Sequence, residues 1–68
     1  MESHARPDAF TALGHPGRLA VFRLLARRAP HGVRPGEIVG ALGLKPSTLS
    51  AHLATLERAG LIQPRRDG

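Results

Sequence analysis

Sixty-eight residues, 41% of them hydrophobic, bound the chain to one small domain, and because ten of those residues are alanine, only eighteen larger apolar side chains remain to build a core. The absence of cysteine excludes a disulfide framework and every thiolate metal site, so the helper that so small a domain needs is expected to be a partner chain or a further segment. Ten Lys+Arg against five Asp+Glu give a net charge of +5 and an isoelectric point near 11.7, which makes a polyanion the first partner to consider.

Proline and glycine punctuate the chain into short helical blocks. The first block is predicted over 7–13, with Pro7 at the first helical position, Asp8 at the positive end of the helix dipole, and Phe10 with Leu13 as its apolar pair. The second, over 16–28, sets Leu19, Val21, Phe22, Leu24, Leu25 and Ala26 around most of its circumference and leaves Arg23 and Arg27 on a narrow polar stripe, the pattern of a helix packed on several sides. The third, over 35–42, carries Ile38, Ala41 and Leu42; Gly43 supplies a left-handed stop and Leu44 a plug for the turn, a spacing that fits a helix-turn-helix unit. Pro46 opens the fourth, over 46–59, and Gly60 offers a second left-handed stop. Leu61-Ile62-Gln63 then reads as a short strand. Asp67-Gly68, a strong hairpin signal, ends the sequence before a returning strand, so the chain is expected to be cut at the tip of a hairpin.

The fourth helix carries the functional signal. At 100° per residue, Leu49, His52, Leu53, Leu56 and Ala59 share one arc, whereas Ser47, Ser50, Ala51, Ala54 and Arg58 lie opposite. A merely solvated face would carry salt-bridging Lys and Glu; small residues and hydroxyls instead let a helix sink into a groove. The major groove of B-DNA admits an α-helix, Ser and Thr can bond to base edges, and an alanine methyl can touch thymine. Lys45 and the free N–H groups of the first turn would attract a phosphate, and Arg65 with Arg66 flank the expected hairpin tip, where they could straddle a DNA backbone. With only Phe10 and Phe22 aromatic, base stacking of the single-strand kind is disfavoured, so duplex DNA is the expected nucleic acid.

Other chemistry is less well supported. His52 is expected to be a partly buried packing residue, since no second His or acid stands three or four positions after it, and His4, His15 and His31 are spread over loops without metal spacing. Arg18 is expected to bond a helix-end carbonyl. Ser50 and His52 point to different arcs and form no catalytic pair, and Gly14-His15-Pro16-Gly17 lacks the Lys and Ser/Thr of a phosphate loop. No enzyme, cofactor or metal is expected. No stretch is long and apolar enough for a membrane span or a signal core, so a cytoplasmic location is expected.

The run Phe10-Thr11-Ala12-Leu13-Gly14-His15-Pro16-Gly17-Arg18-Leu19, with Gly36-Glu37-Ile38-Val39-Gly40-Ala41-Leu42-Gly43-Leu44 and the stretch from Ser47 to Ile62, resembles the ArsR/SmtB family of bacterial winged-helix repressors from about Phe10 to Gly68. The resemblance implies a mainly α, winged helix-turn-helix domain over 1–68, about four helices followed by the first strand of a β-hairpin wing, truncated at the wing tip. It also implies a homodimeric repressor that places two recognition helices in successive major grooves of an inverted repeat. By position, Ser47, Thr48, Ser50 and Ala51 would contact bases, and Arg65 and Arg66 would be wing contacts. The Cys-x-Cys metal site of some members falls here on Arg34 and Gly36 and is absent. Lys45 stands where the family often has a capping Ser or Asp. The alternative function is a winged-helix module that binds an acidic protein, marked by an apolar outward face on the fourth helix; the sequence has serines and alanines there.

Overall fold

A computed structural model describes residues 8–63. Four helices follow one another, α1 (Ala9–Leu13), α2 (Pro16–Arg28), α3 (Pro35–Leu42) and α4 (Pro46–Arg58). The last three each begin on a proline, for a local reason. Proline pushes the residue before it out of the helical region and presets its own φ for a first turn. Accordingly His15, Arg34 and Lys45 are all extended, with ψ of 121°, 145° and 148°.

The helix ends are equally local in origin. Gly43 takes φ 65° and lets the Leu44 N–H return to the Val39 carbonyl at 3.2 Å; Gly60 takes φ 77° and lets the Leu61 N–H return to Leu56 at 3.0 Å. Both are left-handed stops of the kind a β-carbon would strain. At the start of α3 the Glu37 carboxylate accepts from the Arg34 N–H at 3.4 Å.

Each helix contributes to one core: Ala12 from α1, Val21 and Leu24 from α2, Ile38 from α3, and Leu49 and Leu56 from α4. Helices α2 and α4 each pack against all three others, so the core forms around their crossing. Leu44 is half-buried against it and closes the turn between α3 and α4.

Three sequence expectations are corrected. The first helix begins at Ala9, not at position 7, because Asp8 serves as its N-cap and accepts from the Thr11 N–H at 2.8 Å; Pro7 lies outside the described residues. Within α1 the inward residues are Ala12 and Leu13, whereas Phe10 is 90% exposed. Two positions before Ala12 is about 200° around a helix, so the two cannot share a face. The strand expected at 61–63 is not formed among the described residues. The chain is still bending after Gly60, and Leu61 and Ile62 are half-buried against the core. Asp67-Gly68, the expected hairpin tip, lies outside the described residues.

Candidate nucleic-acid interface

The two faces of α4 differ sharply. Leu49, His52 and Leu56 are buried, and Leu53 and Ala59 pack half-buried beside them. On the other side Ser47, Ser50, Ala51 and Arg58 are exposed, and Ala54 is half-buried. Thr48, between the arcs, is half-buried as well, and Lys45 is exposed ahead of the first turn. One straight helix therefore presents Lys45, Ser47, Ser50 and Ala51 together over its first two turns. Arg58 stands two turns beyond Ser50, its guanidinium donating to the Thr55 hydroxyl at 3.4 Å. Arg65 and Arg66 lie outside the described residues.

The beginning of α4 is chemically open. Lys45 occupies the cap position and makes no side-chain cap hydrogen bond, and Pro46 has no N–H to satisfy. The N–H groups of Ser47 and Thr48 therefore emerge at the positive end of the helix dipole without a capping side chain, beside an exposed ammonium group. This arrangement suits an anion, and an extended polyanion lying across the helix start would meet the cation and the N–H groups together.

Beside the core residues that anchor α4, a polar cluster that the sequence does not reveal packs at its junction with the start of α2. His15 caps α2, its Nδ1 accepting from the Gly17 N–H at 3.0 Å. Its ring faces that of His52, with centroids 5.0 Å apart and planes tilted by 56°. Gly17 fits beneath both; a β-carbon there would lie 3.1 Å from His15 Cε1 and 3.1 Å from His52 Nε2. Arg18 donates from Nε to the Ala12 carbonyl at 2.7 Å and from Nη2 to Thr11 at 3.3 Å, tying the end of α1 to the start of α2. Burial holds the His52 pKa below its ordinary value, and the nearby His15 and Arg18 charges push it the same way. At the first helix, the hydrogen bond from the Thr11 N–H lowers the pKa of Asp8. The one signal available in advance for His15 was its place immediately before Pro16, where a side-chain acceptor can cap.

Among the described residues no group of three His, Cys, Asp or Glu side chains could hold a metal ion. No described helix is long and apolar enough to cross a membrane. A separate groove lies between the end of α2, the start of α3 and the second half of α4, floored by Leu25, Ile38, Leu53 and Ile62. None of Lys45, Ser47, Ser50 or Ala51 lines it.

Helix-turn-helix geometry is thus present in α3 and α4, joined through Gly43 and Leu44, with the second helix turning a small polar face outward. Residues 13–65 match the family model described as a helix-turn-helix domain, and the chain belongs to that family. Its curated relatives include an uncharacterized HTH-type transcriptional regulator of Mycobacterium tuberculosis, 38% identical over 64 residues, which cover 93% of this chain and 54% of the relative. A second, from Methanocaldococcus jannaschii and also named an uncharacterized HTH-type transcriptional regulator, is 34% identical over 61 residues, covering 90% of this chain and 66% of its own. The HTH-type transcriptional regulator YgaV of Escherichia coli is 38% identical over 56 residues, covering 82% and 54%. The chain spans about half to two thirds of the length of these relatives. No solved structure matches it.

Proposed function

We infer that this chain is the duplex-DNA-binding part of a transcription regulator, acting by binding and not by catalysis, and that α4 is the helix that enters the major groove. The observation that carries the reading is the division of α4: Leu49, His52 and Leu56 anchor it in the core, while Lys45, Ser47, Ser50 and Ala51 stand exposed along its first two turns. The names of the relatives, all HTH-type transcriptional regulators, support the same reading. Lys45 and the open helix start fix the phosphate backbone; Ser47, Thr48, Ser50 and Ala51 meet base edges; Ala54 and Arg58 extend the contact along the groove, and Arg65 and Arg66 grip the flanking backbone.

The finer assignment is a repressor of the ArsR/SmtB type, working in the cytoplasm as a homodimer on an inverted repeat and blocking a promoter by occupying it. Two-fold symmetry would then set the recognition helices roughly 34 Å apart, one helical turn of DNA. In the resembled family the first helix and a last helix make most of the dimer interface. Phe10, 90% exposed on α1, is the observation here that favours a partner on that side.

Duplexes enriched from a random library and titrated against the chain should lose affinity about ten- to hundredfold between roughly 50 and 200 mM salt, as phosphate contacts release counterions. Replacing exposed Ser50 with a bulky acid, Ser50→Glu, should abolish that binding and leave helix content unchanged. Retained affinity in Ser50→Glu would remove α4 from the interface.

A further inference from the structure

We propose that the His15–His52 pair is an acid-sensitive latch, holding the middle of α4 to the start of α2 while both rings are neutral and loosening when either is protonated. The latch is a property of the free chain and stands whether or not α4 meets DNA.

The geometry carries the proposal. His15 accepts the Gly17 N–H through Nδ1 at 3.0 Å, which requires a lone pair on that atom. An imidazolium donates from both nitrogens and cannot accept, so protonating His15 opens the α2 cap. The same proton places a cation in a ring whose centroid is 5.0 Å from that of His52, which is 8% exposed. Gly17 lies close under both rings, where an added β-carbon would stand 3.1 Å from His15 Cε1 and 3.1 Å from His52 Nε2, and His15, which is exposed, is the ring with solvent to move into when the pair is charged.

The charged surroundings offer no compensation. From α2, His52 is faced by His15 and Arg18, both of which disfavour a further positive charge; Arg23, Arg27 and Arg28 stand further along the same helix. The α1 segment, Ala-Phe-Thr-Ala-Leu, has no titratable side chain, and the carboxylate of its cap, Asp8, is engaged with the Thr11 N–H at the far end of that helix. The only titratable residue of α3 is Glu37, whose carboxylate is engaged with the Arg34 N–H at its own helix start. On α4 itself, Lys45 lies about two turns before His52, and Glu57 and Arg58 more than one turn after it. No anion among these stands next to an imidazolium at the junction. The consequence reaches α1 as well, since Arg18, which ties that helix down through the Ala12 carbonyl, lies in the same cluster.

The sign follows from linkage. His52 has its folded-state pKa below the ordinary 6.5, so the unfolded chain binds the proton more readily. Stability is therefore undiminished above about pH 6.5 and falls as the pH drops below it, down to the lowered folded-state value. Thermal unfolding of the full chain should show a lower melting temperature near pH 5.5 than near pH 7.5. The double variant His15→Asn/His52→Gln, which keeps a capping acceptor and a polar core side chain without the titration, should lose most of that difference. An NMR titration of the wild-type chain gives an independent reading even where the variant does not fold. The His52 Cε1 proton should titrate with a midpoint below 6.5, and the Gly17 and Arg18 amides should move with it. Equal melting temperatures in the wild type at the two pH values, an undiminished difference in the double variant, or a His52 midpoint at or above 6.5 with still Gly17 and Arg18 amides would each overturn the latch.

Discussion

Helices α2 and α4 are both thirteen residues long and both start on a proline preceded by an extended residue, yet their starts are opposites. At α2 the cap is satisfied from within, by His15 on the Gly17 N–H, and the ring is packed against His52. At α4 the cap position holds Lys45, whose side chain makes no cap hydrogen bond and stands exposed. A domain with so few large apolar residues keeps its stability where every polar group has an internal partner. It meets a ligand where polar groups are left without one. The closed start belongs to the scaffold and the open start to the proposed interface.

Substitutions on either side of this contrast should separate stability from binding. The largest effect is expected from the buried side of α4. Leu56 is fully buried, and Leu56→Ala should cost about 2–5 kcal/mol, enough to unfold much of the population of a domain this small. Chemical denaturation monitored by circular dichroism measures it directly, and a loss under about 1 kcal/mol would show that the core does not depend on the α2–α4 crossing. Lys45→Ser sharpens the comparison, because it should move two properties in opposite directions. A capping hydroxyl should raise stability by about 0.5–1 kcal/mol, while the lost cation should weaken duplex binding and reduce the salt slope by about one unit. A variant that gains both stability and affinity would mean that the open start serves no ligand. Gly43→Ala, at φ 65° in the turn between α3 and α4, should cost about 1 kcal/mol through backbone strain, with no atom nearby for the new methyl to strike. Unchanged stability there would mean that the turn can readjust and does not fix the angle of α4.

Most of the helical framework was legible before any coordinates. Pro16, Pro35 and Pro46 mark true helix starts, and Gly43 and Gly60 true stops, because the backbone constraints involved belong to single residues. The two arcs of α4 were legible too, since burial follows the 100° period from Leu49 to Leu56. Contacts between elements were harder to anticipate. Phe10 looked like a core residue from its type alone, yet its angular position relative to Ala12 turns it outward. Asp8 reads from the sequence as a first-turn residue of a helix that it caps, a two-residue shift of the helix start that only the bond to Thr11 reveals. The pairing of His15 with His52 depends on how two helices cross, and no local spacing encodes it. The residues predicted to meet DNA follow from the chemistry of an exposed face, which periodicity can locate but whose partner it cannot name.

The central claim is that the open face of α4 is where duplex DNA binds, and amide chemical-shift mapping of the chain titrated with a duplex tests it most directly. The account predicts that the largest changes fall on Lys45, Ser47, Thr48, Ser50 and Ala51, with the capped start of α2 at His15 and Gly17 nearly still. Changes centred on the α2 start or on Phe10, with α4 silent, would contradict it.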